Sequence, residues 1–113
     1  MPIFITQGRF TQDAVKGMLA HPENREETVA RLFAQSGGKL ISYYMTFGEY
    51  DFLVVSEGPY EGVATSVIVV AAGGGVTDLK TTLAMSSDDM KRAFESAANI
   101  AASFRSAGGA RPQ

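Results

Sequence analysis

The chain has 113 residues, 45% of them hydrophobic and 19% charged, which places it among globular single domains able to build one core without metal or disulfide help. Ten basic and twelve acidic residues leave a net charge of −2, and no stretch concentrates Lys and Arg, so the electrostatic footprint of a nucleic-acid binder is missing. Cysteine is absent, which excludes a disulfide framework, a thiolate zinc site and a cysteine nucleophile, and suits a reducing cytoplasm.

Residues 3 to 10, IFITQGRF, open β-branched and aromatic and predict a strand. Thr11 stands where an N-cap belongs, ahead of a short helix with Val15, Met18 and Leu19 on one face. Pro22 cannot continue that helix but suits the first turn of another, expected over 22 to 35 with Val29, Leu32 and Phe33 inward. Gly37-Gly38 reads as its left-handed C-cap.

KLISYYMTF (39 to 47) and FLVVS (52 to 56) predict the next two strands. Gly48-Glu49 between them meets the need of a two-residue type II′ turn, which asks for positive φ at its first central position. That turn sets a register with Phe47 opposite Tyr50, Thr46 opposite Asp51, Met45 opposite Phe52 and Tyr44 opposite Leu53. The segment from 59 to 75 begins with Pro59 and ends in three glycines, which favours a helix over its β-branched alternative. Residues 76 to 85 predict a fourth strand. Ser86 or Ser87 then caps a last helix, with Asp88 and Asp89 at its positive end and Met90, Ala93, Phe94, Ala97, Ala98, Ala101 and Phe104 at helical spacing.

This order matches the ferredoxin-like βαββαβ pattern: an antiparallel four-stranded sheet with helices on one face, plus a C-terminal helix. One domain is expected over 1 to 105, followed by a flexible tail from 106 to 113. One face of the central hairpin carries Ile41, Tyr43, Met45, Phe47, Tyr50, Phe52 and Val54; the other carries Leu40, Ser42, Tyr44, Thr46, Asp51, Leu53 and Val55. Neither is polar enough for water. One face should meet the helices, and the other is expected to meet a second copy of the chain. No secretion signal is expected, and the longest uncharged window, 62 to 77, is too short to cross a membrane.

The stretch GGKLISYYMTFGEYDFLVV resembles the GYD domain family through Gly48, Tyr50 and Asp51, supported by the opening MPIFITQGRFTQ and the Gly37-Gly38 pair. The likeness covers most of residues 1 to 85. It implies a small bacterial protein of the dimeric α+β barrel type, in which two ferredoxin-like sheets meet face to face, and it implies no catalytic residues.

The candidate site is the hairpin. In one reading Glu49, Tyr50 and Asp51 only solvate a turn. In the other, Asp51 and Tyr44 face a cavity between subunits as general base and hydrogen-bond donor, and Tyr44, Thr46, Glu49, Tyr50, Asp51, Arg9 and His21 contact a ligand. Arg9 and Lys80 either snorkel at strand ends or project toward a cleft, where either would hold a carboxylate, and His21, the only histidine, has a side chain of the type that titrates near neutral pH. A lone histidine supplies no multi-histidine metal site, the glycines at 73 to 75 lack P-loop spacing, and no nucleophile elbow occurs, so neither metal nor cofactor is expected. The expected partners are a second copy and a small apolar or aromatic ligand. Three functions stay open: a binding or sensing module, a cofactor-independent oxygenase-, isomerase- or decarboxylase-like enzyme with Asp51 or Glu49 as base and Tyr44 or Tyr50 as electrophile, and a structural or oligomerisation module.

Overall fold

The computed structural model describes residues 1–108. The elements follow as β1 (Ile3–Phe10), α1 (Gln12–Ala20), α2 (Arg25–Gln35), β2 (Lys39–Met45), β3 (Phe52–Glu57), α3 (Tyr60–Ala72), β4 (Val76–Ala84) and α4 (Ser87–Ala101). The strands form one antiparallel sheet in the order β2-β3-β1-β4, the ferredoxin-like arrangement. No helix among the described residues is long and apolar enough to cross a membrane. The part of the expected tail from 109 onward lies outside the described residues.

Local chemistry explains most boundaries. Thr11 caps α1 by accepting from the Ala14 N–H at 3.2 Å, and Ser86 caps α4 through Asp89 N at 3.1 Å. Helix α2 starts three residues later than Pro22 suggests, because Asn24 caps it by accepting from Glu26 N at 3.0 Å. Its C-terminus is a Schellman motif: Gly37 has φ +83°, its N–H reaches Ala34 O, and Gly38 N–H reaches Phe33 O at 2.9 Å.

The two central strands alternate strictly in burial. Phe4, Thr6, Phe52, Val54 and Ser56 point to the helices, where Phe33 of α2 and Val63 of α3 meet them. Phe10 tilts against Phe52 with ring centroids 5.2 Å apart. Gly8 lies opposite Phe52, and a Cβ there would stand 2.7 Å from the Phe52 ring and 2.9 Å from Leu79. The ring therefore occupies the space that a side chain at position 8 would need.

Two irregularities change the predicted hairpin. The expected turn at Gly48-Glu49 does not form. Gly48 does not have positive φ, β2 ends at Met45, and residues 46–51 make a six-residue loop in which Phe47 is fully exposed rather than paired with Tyr50. The predicted pairs Met45–Phe52 and Tyr44–Leu53 do occur. A bulge at Ile41 then shifts the register, so Leu40 pairs with Ser56 and joins the core side while Ile41 turns outward. A second bulge sets Asp78 and Leu79 opposite Gly8, and Asp78 adopts φ +55°, a conformation that Asp tolerates better than most residues.

Among the described residues, no helix packs over the other side of the sheet. Cross-strand pairing puts Ser42, Val55, Ile5 and Thr82 in one row and Tyr44, Leu53, Gln7 and Lys80 in the next, with Ile3 beyond. Helix α4 buries none of its residues, and Phe94 is 70% exposed. The molecule consequently measures 64 × 29 × 22 Å, with a radius of gyration of 18.8 Å. A compact chain of this length has about 13 Å.

Candidate functional site

The loop over residues 46–51 is tied down by groups from β1, some forty positions earlier in sequence. Asp51 N–H donates to Gly8 O at 2.8 Å, and its Oδ2 accepts from the Phe10 N–H at 2.9 Å. Beyond the bulge, Phe10 N–H is thus held by a carboxylate. The Arg9 guanidinium donates through Nε to Glu49 O at 2.7 Å and lies over the Tyr50 ring, 5.7 Å from its centroid. Nη1 of Arg9 stands 3.6 Å from the Asp78 carboxylate, an exposed pair worth little by itself. Thr46 closes the loop twice: its N–H reaches Asp51 O at 2.8 Å and its hydroxyl donates to Tyr50 O at 2.7 Å.

Five of the seven expected site residues, Arg9, Thr46, Glu49, Tyr50 and Asp51, therefore meet at one end of the sheet. A groove of about 400 Å³ opens there, bounded by Gln7, Thr46, Glu49, Tyr50 and Lys80. Tyr44 is 61% exposed on the open face, one row in from the loop, and makes no hydrogen bond to Asp51. His21 lies elsewhere. It ends α1, donating its backbone N–H to Gly17 O at 2.9 Å, and borders a separate cleft of about 320 Å³ with Met18 and Arg25. Lys80, expected to project toward a cleft, does border the groove, whereas Gln7 escapes a reading that looks along one hairpin, because only the pairing of β1 with β3 puts it beside Tyr44. Strand alternation on β1 is the signal that would have found Gln7.

A second concavity lies on the helix side, between α2, α3 and the sheet. It is a narrow chamber of about 60 Å³ with an apolar wall and Arg25 and Tyr43 among its polar members. Burial pushes the Tyr43 phenol up from its ordinary value, and the Arg25 guanidinium opposes that rise. Among the described residues, no group of three or more His, Asp or Glu is placed to hold a metal ion.

A family model for the GYD domain matches residues 4–94, from the first strand into the last helix. The chain belongs to the GYD domain family. Solved structures share the fold of this GYD domain at low identity. TTHA0845 from Thermus thermophilus is 17% identical, with a TM-score of 0.50 over 77% of this chain and 96% of that one. The transcriptional regulator NMB0573 from Neisseria meningitidis, solved as an L-Met complex, is 14% identical with a TM-score of 0.50, over 76% of this chain and 51% of that one. The hypothetical protein PHS023 from Pyrococcus horikoshii is 15% identical over 76% of this chain and 92% of that one, with a TM-score of 0.47. No curated protein matches the chain.

Proposed function

We propose that this GYD domain pairs with a second copy through the open face of its sheet and holds a small organic molecule where that face meets the loop over 46–51. The observation that carries the reading is the composition of the open face. Ile3, Ile5, Leu53 and Val55 occupy the two central strands, at positions where a solvated sheet carries polar side chains. A second copy is the simplest cover, because a two-fold axis buries the same apolar rows on both partners. At one end the face turns polar, with Gln7, Tyr44 and Lys80 in a row beside the groove. An apolar floor with hydrogen-bonding groups and one positive charge at its edge suits a small molecule that has a polar end. The Neisseria meningitidis regulator, solved with L-Met, is one protein containing this fold that was obtained with a small molecule.

Binding without turnover fits the loop better than catalysis. Asp51, Arg9 and Thr46 are each engaged with the backbone, so they hold the loop rather than stand free to move protons. Sedimentation equilibrium of the wild type and of Ile5→Lys tests the pairing, and thermal-shift screening of small organic molecules on both tests the cavity. A wild type that stays monomeric at high micromolar concentration removes the reading.

Helix α4 favours a further oligomerisation role. Four strands spaced about 4.8 Å apart and about 22 Å long present roughly 420 Å² per protomer, about half of what each partner buries in a standard interface. The exposed pair Met90 and Phe94, one turn apart on the same face of α4, offers part of the missing area. Phe94→Asp should then weaken the dimer, or reduce a larger assembly to a dimer, in the same sedimentation experiment.

A further inference from the structure

We propose that α4 is a docking arm, whose apolar face packs antiparallel along the outward face of α3 in a second copy of the chain. The proposal rests on the oligomerisation role given to α4 above and names the surface that α4 meets. It does not depend on the pairing of sheets.

Two faces of the protomer stand open among the described residues, and they match. On α4, Met90, Ala93, Phe94, Ala97 and Ala101 recur at helical spacing and form one stripe, with Lys91, Arg92, Glu95 and Asn99 on the opposite side. The helix is nevertheless exposed all round, apolar stripe included. Helix α3 has the reverse character. Val63 and Ser66 point to the core, while Glu61, Ala64, Thr65, Ile68 and Ala72 share the outward side. Glu61 is the one charge in its 13 residues, Ile68 is 67% exposed, and the Thr65 hydroxyl is spent on Glu61 O at 2.9 Å. A helix that is apolar on nearly every side belongs in an interior. The stripe of α4 is a cover for it that the chain itself supplies, and the contact adds area that the sheet face alone lacks for a standard interface.

Size and charge select the direction. Run antiparallel with Ala97 against Ile68, α4 sets Phe94 near Ala71 and Ala72 and Ala101 near Ala64, so each large side chain meets small ones. The same register brings Arg105, one turn beyond α4, close to Glu61; neither has an ion pair among the described residues. It also lays helix ends of opposite sign side by side. Run parallel with the two starts aligned, Phe94 would meet Ile68, and Asp88 and Asp89 would meet Glu61.

Topology then makes the partner a second copy. Glu57, the end of β3, and Ala84, the end of β4, both pair with Ile3, so α3 and α4 start from the same end of the sheet. Helix α3 runs to the opposite end, where β4 begins with Val76 beside Phe10. Folded back over its own protomer, α4 would therefore run parallel to α3. The antiparallel contact needs another chain, and a two-fold pair makes it twice.

Disulfide trapping tests the contact in the full chain, whose lack of native cysteine leaves no competing pair. Full chain carrying Ala64→Cys is mixed, at high micromolar concentration and under mild oxidation, with a mass-tagged chain carrying Ala101→Cys; both alanines are exposed. This mixture should cross-link several-fold faster than Ala64→Cys mixed with Met90→Cys, the pair that a parallel contact would join. Phe94→Asp added to the Ala101→Cys chain should abolish the cross-link, with circular dichroism reporting that the helices persist. Glu61→Gln alters no packing and should slow the antiparallel cross-link by up to about fivefold, the worth of one exposed ion pair. The cross-link should persist in Ile5→Lys, so loss of the sheet pair and loss of this contact are read separately. Equal rates for the two mixtures, no cross-link in either, its disappearance in Ile5→Lys, or closure of a single chain carrying both Ala64→Cys and Met90→Cys would overturn the proposal.

Discussion

Ile5→Lys puts the dimer to its most direct test. Ile5 lies at the centre of the open face, flanked by Val55 on β3 and Thr82 on β4. It is only half-buried in the protomer, so a lysine there keeps its stem on the sheet and its ammonium in water, and the monomer should change by less than about 1 kcal/mol. In a two-fold pair the same substitution occurs twice across the interface. Because Ile5 is already half-buried, each copy forfeits about half the burial of an isoleucine, about 0.8–1.5 kcal/mol, so the pair weakens by about 1.5–3 kcal/mol before any desolvation of the two charges. That corresponds to about ten- to hundredfold in the dissociation constant. Sedimentation equilibrium over a wide concentration range measures it, and urea unfolding of the monomeric variant checks that the fold survives. An unchanged dissociation constant with an intact fold would refute the reasoning, because it would mean that the apolar rows of β1 and β3 are not what meets the partner.

Gly8→Ala should destabilise by about 1–3 kcal/mol in urea melts, since the new methyl must displace the Phe52 ring, and Phe52→Leu in the same chain should recover part of the loss. Asp51→Ala should cost about 1–3 kcal/mol and speed amide exchange at Phe10, while Asp51→Asn, which keeps an acceptor oxygen, should cost less. Ser56→Ala should be neutral or stabilise by up to about 1 kcal/mol, because the fully buried Ser56 hydroxyl has no hydrogen-bond partner to lose. Burial raises the Tyr43 phenol, so on alkalinisation the unfolded chain loses that proton first; the stability from the neutral phenol is complete below about pH 10 and declines above it. Urea midpoints from pH 9 to 11 should fall more steeply in the wild type than in Tyr43→Phe.

The order of elements was legible in the residues because its signals are local. Hydrophobic spacing, Thr11 and Ser86 as caps, and the Gly37-Gly38 terminator each act within about one turn of chain, and each forms as read. The apolar character of both sheet faces was legible for the same reason, since side chains on a strand alternate whatever lies beside them. The end of the hairpin was not. A glycine in the right place suggested a tight turn, but Arg9 and Phe10, distant in sequence, bind Glu49 and Asp51 and draw the loop open. The bulge at Ile41 likewise moved Leu40 into the core by a shift of register that no local pattern announces.

By itself, then, the sequence determined a four-stranded antiparallel layer with two apolar sides, because periodicity and capping are properties of neighbouring residues. Only the tertiary structure decided which residues share a row, that Gln7 and Lys80 stand beside Tyr44, and that Arg25 and Tyr43 border an apolar chamber. Those placements depend on pairings between distant strands and on how far α2 and α3 close over the sheet. Such contacts are set by the packing of the whole chain, and no short stretch carries them alone.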